Sequence, residues 1–262
     1  MGDAVAGFYF TNRRFRRWRY RLLDRVKSRV TARRALALPA VHPWAEAIAW
    51  CWNGVVRRED QTGLGRVEQL RAALLASGRS IRVQGRERTV ASICAGESVS
   101  PERGLFLYCL TRALAPAAVL ELGTCLGVSS AYLSAALEAN GSGRLVTIDV
   151  EPEKAEVAAA HLTDARLDAR ARLVRAWFHD ALPTLLTEAP AFQLVYVDGH
   201  HEEAPTIGYF GQIADASKGA TLVFDDIAWS PGMVRAWKAI AADARVEFSG
   251  EAFGFGLVRL RA

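Results

Sequence analysis

Apolar residues recur along this chain at two different rhythms, and the change between them divides it. In the first hundred residues the spacing is three or four. Trp18, Leu22, Val26 and Val30 follow it among arginines, and Trp44, Ile48 and Trp52 repeat every fourth residue up to Gly54. Residues 66–77 and 102–114 carry the same period, with a loop expected over residues 94–101 between them. Such spacing predicts amphipathic helices, with Gly54 as a C-cap and Trp44, Ile48 and Trp52 as a stripe that belongs to a core.

Beyond Pro116 short apolar runs take over, at residues 118–122, 144–149, 170–175, 193–198 and 220–225, with helical stretches between them. Runs of that length alternating with helices predict βαβ units, hence a parallel sheet covered on both faces. The last two runs, residues 245–249 and 255–260 around a glycine-containing turn, predict an antiparallel hairpin on the sheet edge. The expected fold class is α/β: a doubly wound, mostly parallel sheet with an antiparallel C-terminal hairpin and a helical N-terminal extension. Residues 1–40 read as a basic amphipathic arm, 41–100 as a helical extension or lid, and 101–262 as the ligand-binding domain.

With 262 residues, of which 51% are hydrophobic, the chain can bury roughly 70 to 75% of its unfolded surface without metal or disulfide staples. Cys51, Cys94, Cys109 and Cys125 form no C-x-x-C pair, so neither a zinc knuckle nor a disulfide framework is suggested, and a reducing, cytoplasmic setting is expected. Charge changes the picture more. Residues 1–40 hold 11 of the 33 Lys and Arg but only two acids, Asp3 and Asp24, a net +9 that leaves the rest of the chain at −4. The body is therefore not a nucleic-acid surface in its own right. The arm, over residues 8–34, can instead meet an anionic membrane surface or another polyanion, cap its own body, or contact a second copy in a homodimer. Because Pro39, His42, Pro43 and Glu46 interrupt residues 35–56, no spanning helix is expected, and any membrane attachment is peripheral.

Candidate chemistry falls at the carboxyl ends of the expected strands, where ligands bind in open α/β sheets. The first strand runs into Glu121-Leu122-Gly123-Thr124-Cys125-Leu126-Gly127, followed by Ser129 and Ser130 at a helix start. Glycines there permit close backbone approach, and the helix N-terminus favours an anion. Taken alone, the loop also fits a tight turn with no ligand. The second strand ends at Asp149, placed to accept hydrogen bonds from ribose hydroxyls. Glycine at only the first and fifth places of the loop, where G-x-G-x-x-G would be wanted, argues against a nicotinamide cofactor.

The pattern E-x-G-x-x-x-G, then an acid ending the next strand, resembles class I S-adenosylmethionine-dependent methyltransferases, whose seven-stranded Rossmann-like fold it implies. The segments VLELGTCLGVSS, TIDVEPEKA, VRAWFHDALP, LVYVDGHH and LVFDDI are similar in order and spacing to catechol-type O-methyltransferases, over about residues 95–260. A D-G-x-H motif, with E-x-P-T-x-x-Y-F and F-D-D-I-x-W-S over residues 198–230, is shared with a further bacterial group. The resemblance implies that Glu121, Gly123 and Ser129 line the methionine half of the cofactor, that Thr124 and Gly127 also contact the cofactor, and that Asp149 holds the ribose. It also implies that Trp177, Phe178 and His179 flank adenine, although relatives often carry small or polar residues at Trp177 and Phe178.

It points to Asp198, Asp225 and Asp226 as a Mg²⁺ set, though catechol-type members usually have Asn at the position of Asp226. Clustered carboxylates need either a cation or raised pKa values. The alternative is that Asp198 contacts the cofactor and that Asp225 or Asp226 caps the next segment. His201, three residues past Asp198, is the first candidate for general base because imidazole takes a proton near neutrality, with His200 second. Catechol-type enzymes have lysine there and sugar-modifying relatives D-x-x-H. The expected reaction is methyl transfer to an oxygen of a small-molecule acceptor, with Asp198 and His201 as catalytic residues. Two rivals remain. One is an RNA methyltransferase recruited by the arm, against which Asp198-Gly199-His200-His201 stands where an Asn/Asp-Pro-Pro-Tyr pattern is normal. The other is a cofactor-binding or membrane-associated adaptor without activity.

Overall fold

The computed structural model describes residues 43–53, 58–188 and 190–262. The arm expected over residues 1–40 lies outside the described residues, as does the side chain of Trp52. None of the described helices is long and apolar enough to cross a membrane.

Helices α1 (Pro43–Asn53) and α2 (Gln61–Ala76) are followed by a small hairpin, β1 (Ser80–Val83) and β2 (Arg86–Thr89), and by α3 (Val90–Glu97) and α4 (Pro101–Leu114). The larger sheet then alternates with helices: β3 (Ala118–Leu122), α5 (Val128–Ala139), β4 (Arg144–Asp149), α6 (Pro152–Asp164), β5 (Ala171–Arg175), α7 (Phe178–Leu185), β6 (Leu194–Val197), α8 (Glu203–Ala216), β7 (Thr221–Phe224), α9 (Pro231–Ala241), β8 (Val246–Ala252) and β9 (Phe255–Leu260). Strand order is β5-β4-β3-β6-β7-β9-β8, with β9 antiparallel to both its neighbours and the first five strands parallel. The expected seven-stranded, doubly wound sheet with its C-terminal hairpin is thus present. The chain leaves β3 toward β4 on one side and returns to β6 on the other, so the crevice between β3 and β6 is the switch point.

Two expectations need correction. Residues 94–101 are not a loop, because α3 runs to Glu97 and leaves only Ser98–Ser100 outside helix. The Thr89 hydroxyl caps α3 by accepting from Ser92 N at 3.2 Å, and Val90, Ile93 and Cys94 bury one face. Residues 80–89 are also not helical. Gln84 and Gly85, both at positive φ, make the two-residue turn that suits a right-twisted hairpin, and only Ile81 and Val83 face inward.

The sheet has one apolar cluster on each face. Along β3 the side chains alternate between them: Ala118, Leu120 and Leu122 face α7, α8 and α9, while Val119 faces the N-terminal helices. Tyr196 and Val223 lie on that second side as well, so by alternation Glu121, Asp198 and Asp225 share it. The functional strand ends therefore open toward α1–α4.

Trp44 anchors those helices. It is 1% exposed, donates from Nε1 to Thr221 Oγ1 at 3.2 Å and meets Phe248 edge-on at 4.8 Å. Ile48 packs against the same cluster. Truncating Trp44 to alanine is expected to cost about 3 to 5 kcal/mol, and Trp44→Phe about 1 kcal/mol through the lost hydrogen bond. Urea denaturation of the two variants measures both, and equal losses would mean that the ring contributes nothing beyond its N–H.

Candidate cofactor and acceptor site

The glycine loop turns sharply out of β3. Gly123 has φ +112, and a Cβ there would lie 2.0 Å from the backbone oxygen of Asp198, so the ends of β3 and β6 approach as only glycine permits. Gly123 N and Thr124 N donate to Ile148 O at 3.0 and 3.2 Å, and Gly127, at φ +81, leads into α5. Asp149 braces the loop from β4: one carboxylate oxygen accepts from Cys125 N at 2.8 Å and the other from Glu151 N at 2.9 Å. Each oxygen keeps a second lone pair for a further donor.

Beneath the loop lies Glu121, fully buried. Its Oε2 accepts from Thr147 Oγ1 at 2.6 Å and from Ser130 Oγ, and the Ser129 hydroxyl is also turned on the carboxyl. Its Oε1 is buried with no partner. An orphaned carboxylate oxygen is costly unless a donor arrives, and burial pushes the Glu121 carboxyl up to about 7. Thr124 spends its hydroxyl on Thr147 at 2.6 Å and is buried, which leaves its backbone for a ligand.

The N-terminal segment closes over this loop. Glu97 accepts from Lys154 Nζ at 2.8 Å and from Arg88, with Cys125 Sγ 3.8 Å away, and Arg71 donates to Val99 O at 2.7 Å. On the other side, Trp177 is 54% exposed and stacks on His179 at 6.1 Å between ring centroids. Phe178 turns inward instead, edge-on to Tyr209 and close beneath Gly199, where a Cβ would meet its ring at 2.8 Å. Of the three adenine candidates, Trp177 and His179 are open to solvent and Phe178 is a buttress.

A second polar cluster, the candidate acceptor end, is built at the tips of β6 and β7. Tyr196 OH lies 2.8 Å from Asp198 Oδ2 and 2.7 Å from Asp225 Oδ2. A phenol has one proton to donate, so full satisfaction of both contacts requires a proton on one carboxyl. Burial, then neighbouring Asp225, push Asp198 well above the usual carboxylate range, and the same two causes raise Asp226. His201 Nε2 lies 3.6 Å from Asp198 Oδ1 and 3.8 Å from Asp226 Oδ2. The imidazole thus faces both carboxyls. His200, at φ +57, is hydrogen-bonded through Nδ1 to Tyr209 OH at 2.8 Å.

The three expected metal ligands do not come together as a free set. Asp225 is buried, its Oδ1 is held by Arg103 Nη2 and by Asp226 N at 2.5 Å, and its Oδ2 faces Tyr196. Among the described residues, the group whose potential ligand atoms lie within 4.8 Å of one another is Asp198, His201 and Asp226. Sequence reasoning missed Arg103 and Tyr196. Tyr196 carried a signal, because a hydroxyl two residues before Asp198 on a strand shares its face. Arg103 carried none.

Comparison with known proteins finds methyltransferases. A family described as a methyltransferase domain matches residues 120–227. The chain is 34% identical over 158 residues to the catechol O-methyltransferase of Mycobacterium tuberculosis, covering 59% of this chain and 69% of that protein. It is 33% identical over 130 residues to the catechol O-methyltransferase of Niastella koreensis, covering 49% of this chain and 57% of that one. Among solved structures, the O-methyltransferase TomG from Streptomyces achromogenes, involved in tomaymycin synthesis and solved with S-adenosylmethionine, superposes with a TM-score of 0.55 at 28% identity, covering 63% of this chain and 82% of that one. The fold alone is shared with a Bacillus cereus O-methyltransferase in complex with S-adenosylhomocysteine, at TM-score 0.60 and 21% identity, over 84% of this chain and all of that one.

Proposed function

Because this chain belongs to the class I S-adenosylmethionine-dependent O-methyltransferase family, we propose that it transfers a methyl group to an oxygen of a small-molecule acceptor, a phenol or a sugar hydroxyl. The observation that carries the reading is Glu121, a buried carboxylate with one unpartnered oxygen beside the Gly123 turn. Those residues fit the methionine end of the cofactor: Glu121 receives the ammonium, Ser129 and the backbone of Thr124 and Gly127 line the approach, and Asp149 takes the ribose hydroxyls. Trp177 and His179 offer open ring faces to adenine, with Phe178 behind them, and Asp198 closes the pocket from β6. When bound, S-adenosylmethionine supplies a methyl carbon activated by its sulfonium.

The chain's own contribution is to place and deprotonate the acceptor. His201 takes the hydroxyl proton at Nε2, and Asp198 and Asp226 hold the imidazolium that results. Proton removal of this kind contributes about 10² to 10⁴-fold, and orientation of the acceptor over the methyl supplies much of the remainder. The Mg²⁺ set Asp198, Asp225 and Asp226 does not fit a hard cation while Asp225 is engaged by Arg103 and Tyr196, and no step is assigned to a metal. Residues 1–40 are proposed as the arm that brings the enzyme to an anionic surface.

Calorimetry with S-adenosylhomocysteine tests the reading through proton linkage. In the free protein Glu121 holds its proton up to about pH 7; an arriving ammonium favours the carboxylate, so binding at pH 6 releases a proton that is absent at pH 8.5. Glu121→Gln is expected to lose that release and about 10 to 100-fold in affinity. The free protein shows the matching stability trend. With the folded value raised above the ordinary 4.5, stability from this group is present below pH 4.5 and lost as pH rises through 7, on the order of 3 kcal/mol. No binding of S-adenosylhomocysteine at any pH would overturn the assignment, and turnover of RNA but of no small acceptor would redirect it.

A further inference from the structure

Of the three acids at this end, Asp225 alone has a permanent cation within the protein. Asp198 and Asp226 have His201 between them, and Asp225 has Arg103. Arg103 is not a surface side chain that happens to reach inward. It stands in the first turn of α4, where the Ser100 hydroxyl caps the helix by accepting from Arg103 N at 3.4 Å and Pro101 fixes the first residue. Its guanidinium carbon sits 4.2 Å from the centre of the Phe255 ring. Phe255 is itself fully buried, with Phe106 stacked at 6.0 Å and Tyr196 edge-on at 5.8 Å. The cation therefore lies in a slot made by α4, β6 and β9, against an aromatic face that favours positive charge.

We propose that Arg103 is the resident cation of this site, holding Asp225 and, through Tyr196, Asp198, so that methyl transfer proceeds without a divalent metal. The proposal rests on the methyl-transfer reading. A guanidinium is charged at every relevant pH and grips a carboxylate in a fixed orientation, so it supplies continuously the charge that a bound ion would supply on loading. The hydrogen-bonded row Arg103, Asp225, Tyr196, Asp198 then fixes the acid beside His201. Arg103 is a positioning residue: it acts on the proton acceptor through two intermediaries.

The test uses the full chain with Mn²⁺ as the probe, followed by loss of its free paramagnetic signal, with and without S-adenosylhomocysteine. The wild type is expected to bind Mn²⁺ no tighter than about 1 mM, and EDTA is expected to leave methyl transfer unchanged. In Arg103→Leu, a freed and buried Asp225 joins Asp198 and Asp226, and Mn²⁺ affinity is expected to rise about tenfold or more while methyl transfer falls by a similar factor. Arg103→Lys restores a cation and is expected to return Mn²⁺ binding to the weak wild-type level. Stoichiometric Mn²⁺ binding by the wild type below about 0.1 mM, or activity removed by EDTA and restored by Mg²⁺, overturns the proposal. Failure of Arg103→Leu to gain Mn²⁺ while still binding S-adenosylhomocysteine does so too. If the leucine variant does not fold, the wild-type titration decides alone. Loss of S-adenosylhomocysteine binding by the wild type would instead remove the methyltransferase reading and is read separately.

Discussion

Gly123→Ala is expected to lower the melting temperature by about 10 °C or more and to remove cofactor binding altogether. Two costs add. A residue with a Cβ at φ +112 is held in a backbone region that L side chains rarely adopt, and the new carbon would press on the backbone oxygen of Asp198 at 2.0 Å. Backbone oxygen cannot swing aside as a side chain can. Strain and overpacking together amount to about 3 to 6 kcal/mol, and relief comes only by parting β3 from β6 at the switch point. That movement carries Asp198 away from His201 and opens the loop above Glu121. Gly127→Ala is the comparison: its Cβ would stand 3.1 Å from Ala158 Cβ at φ +81, a milder contact with a side chain, and about half the loss is expected. Thermal scans of both variants with and without S-adenosylhomocysteine make the measurement. A Gly123→Ala protein that melts within a few degrees of the parent would show that the two strand ends can separate freely.

His201→Ala is expected to lower kcat by about 10² to 10⁴-fold while leaving affinity for S-adenosylhomocysteine within about twofold. The separation matters because the imidazole faces Asp198 and Asp226 and makes no hydrogen bond to Glu121 or its hydroxyl partners. Asp198→Asn is expected to lower kcat as well and, as part of both ends of the site, to weaken cofactor binding. The two effects should not multiply in the double variant, since the base and its support act as one unit. Methyl transfer from labelled S-adenosylmethionine to any phenol or sugar that turns over measures all three. Undiminished turnover in the double variant would place the proton acceptor elsewhere, and His200, tied to Tyr209, would be the next residue to change.

The central strands could be read from sequence because burial on both faces forces uninterrupted apolar runs, and the polar residue that ends each run is conspicuous. Asp149, Asp198 and Asp225 were found in that way, and Glu121 by its place just before the glycine loop. The small hairpin was not, because two strands of four residues with only Ile81 and Val83 buried leave too short a period to separate from helix. Helix α3 was missed because its capping depends on Thr89, which reads equally well as the end of a strand. Arg103 lay beyond reach for another reason. Its partner is 122 residues away, and a lone arginine in a helix looks like solvated surface until the fold lays Phe255 and Asp225 against it.

The hydrogen bond from Trp44 to Thr221 spans 177 residues of sequence. During synthesis the helix that carries Trp44 therefore leaves the ribosome long before the strand that holds Thr221 exists. At about 5 to 20 residues per second the interval is roughly 10 to 35 s. Through that time the apolar face bearing Trp44 and Ile48 lacks its final seat, and the nascent chain presents a surface suited to a holding chaperone. A circular permutant opened after residue 53, so that residues 43–53 follow β9, would reverse the order of appearance, and it should raise the soluble yield without altering the finished contact.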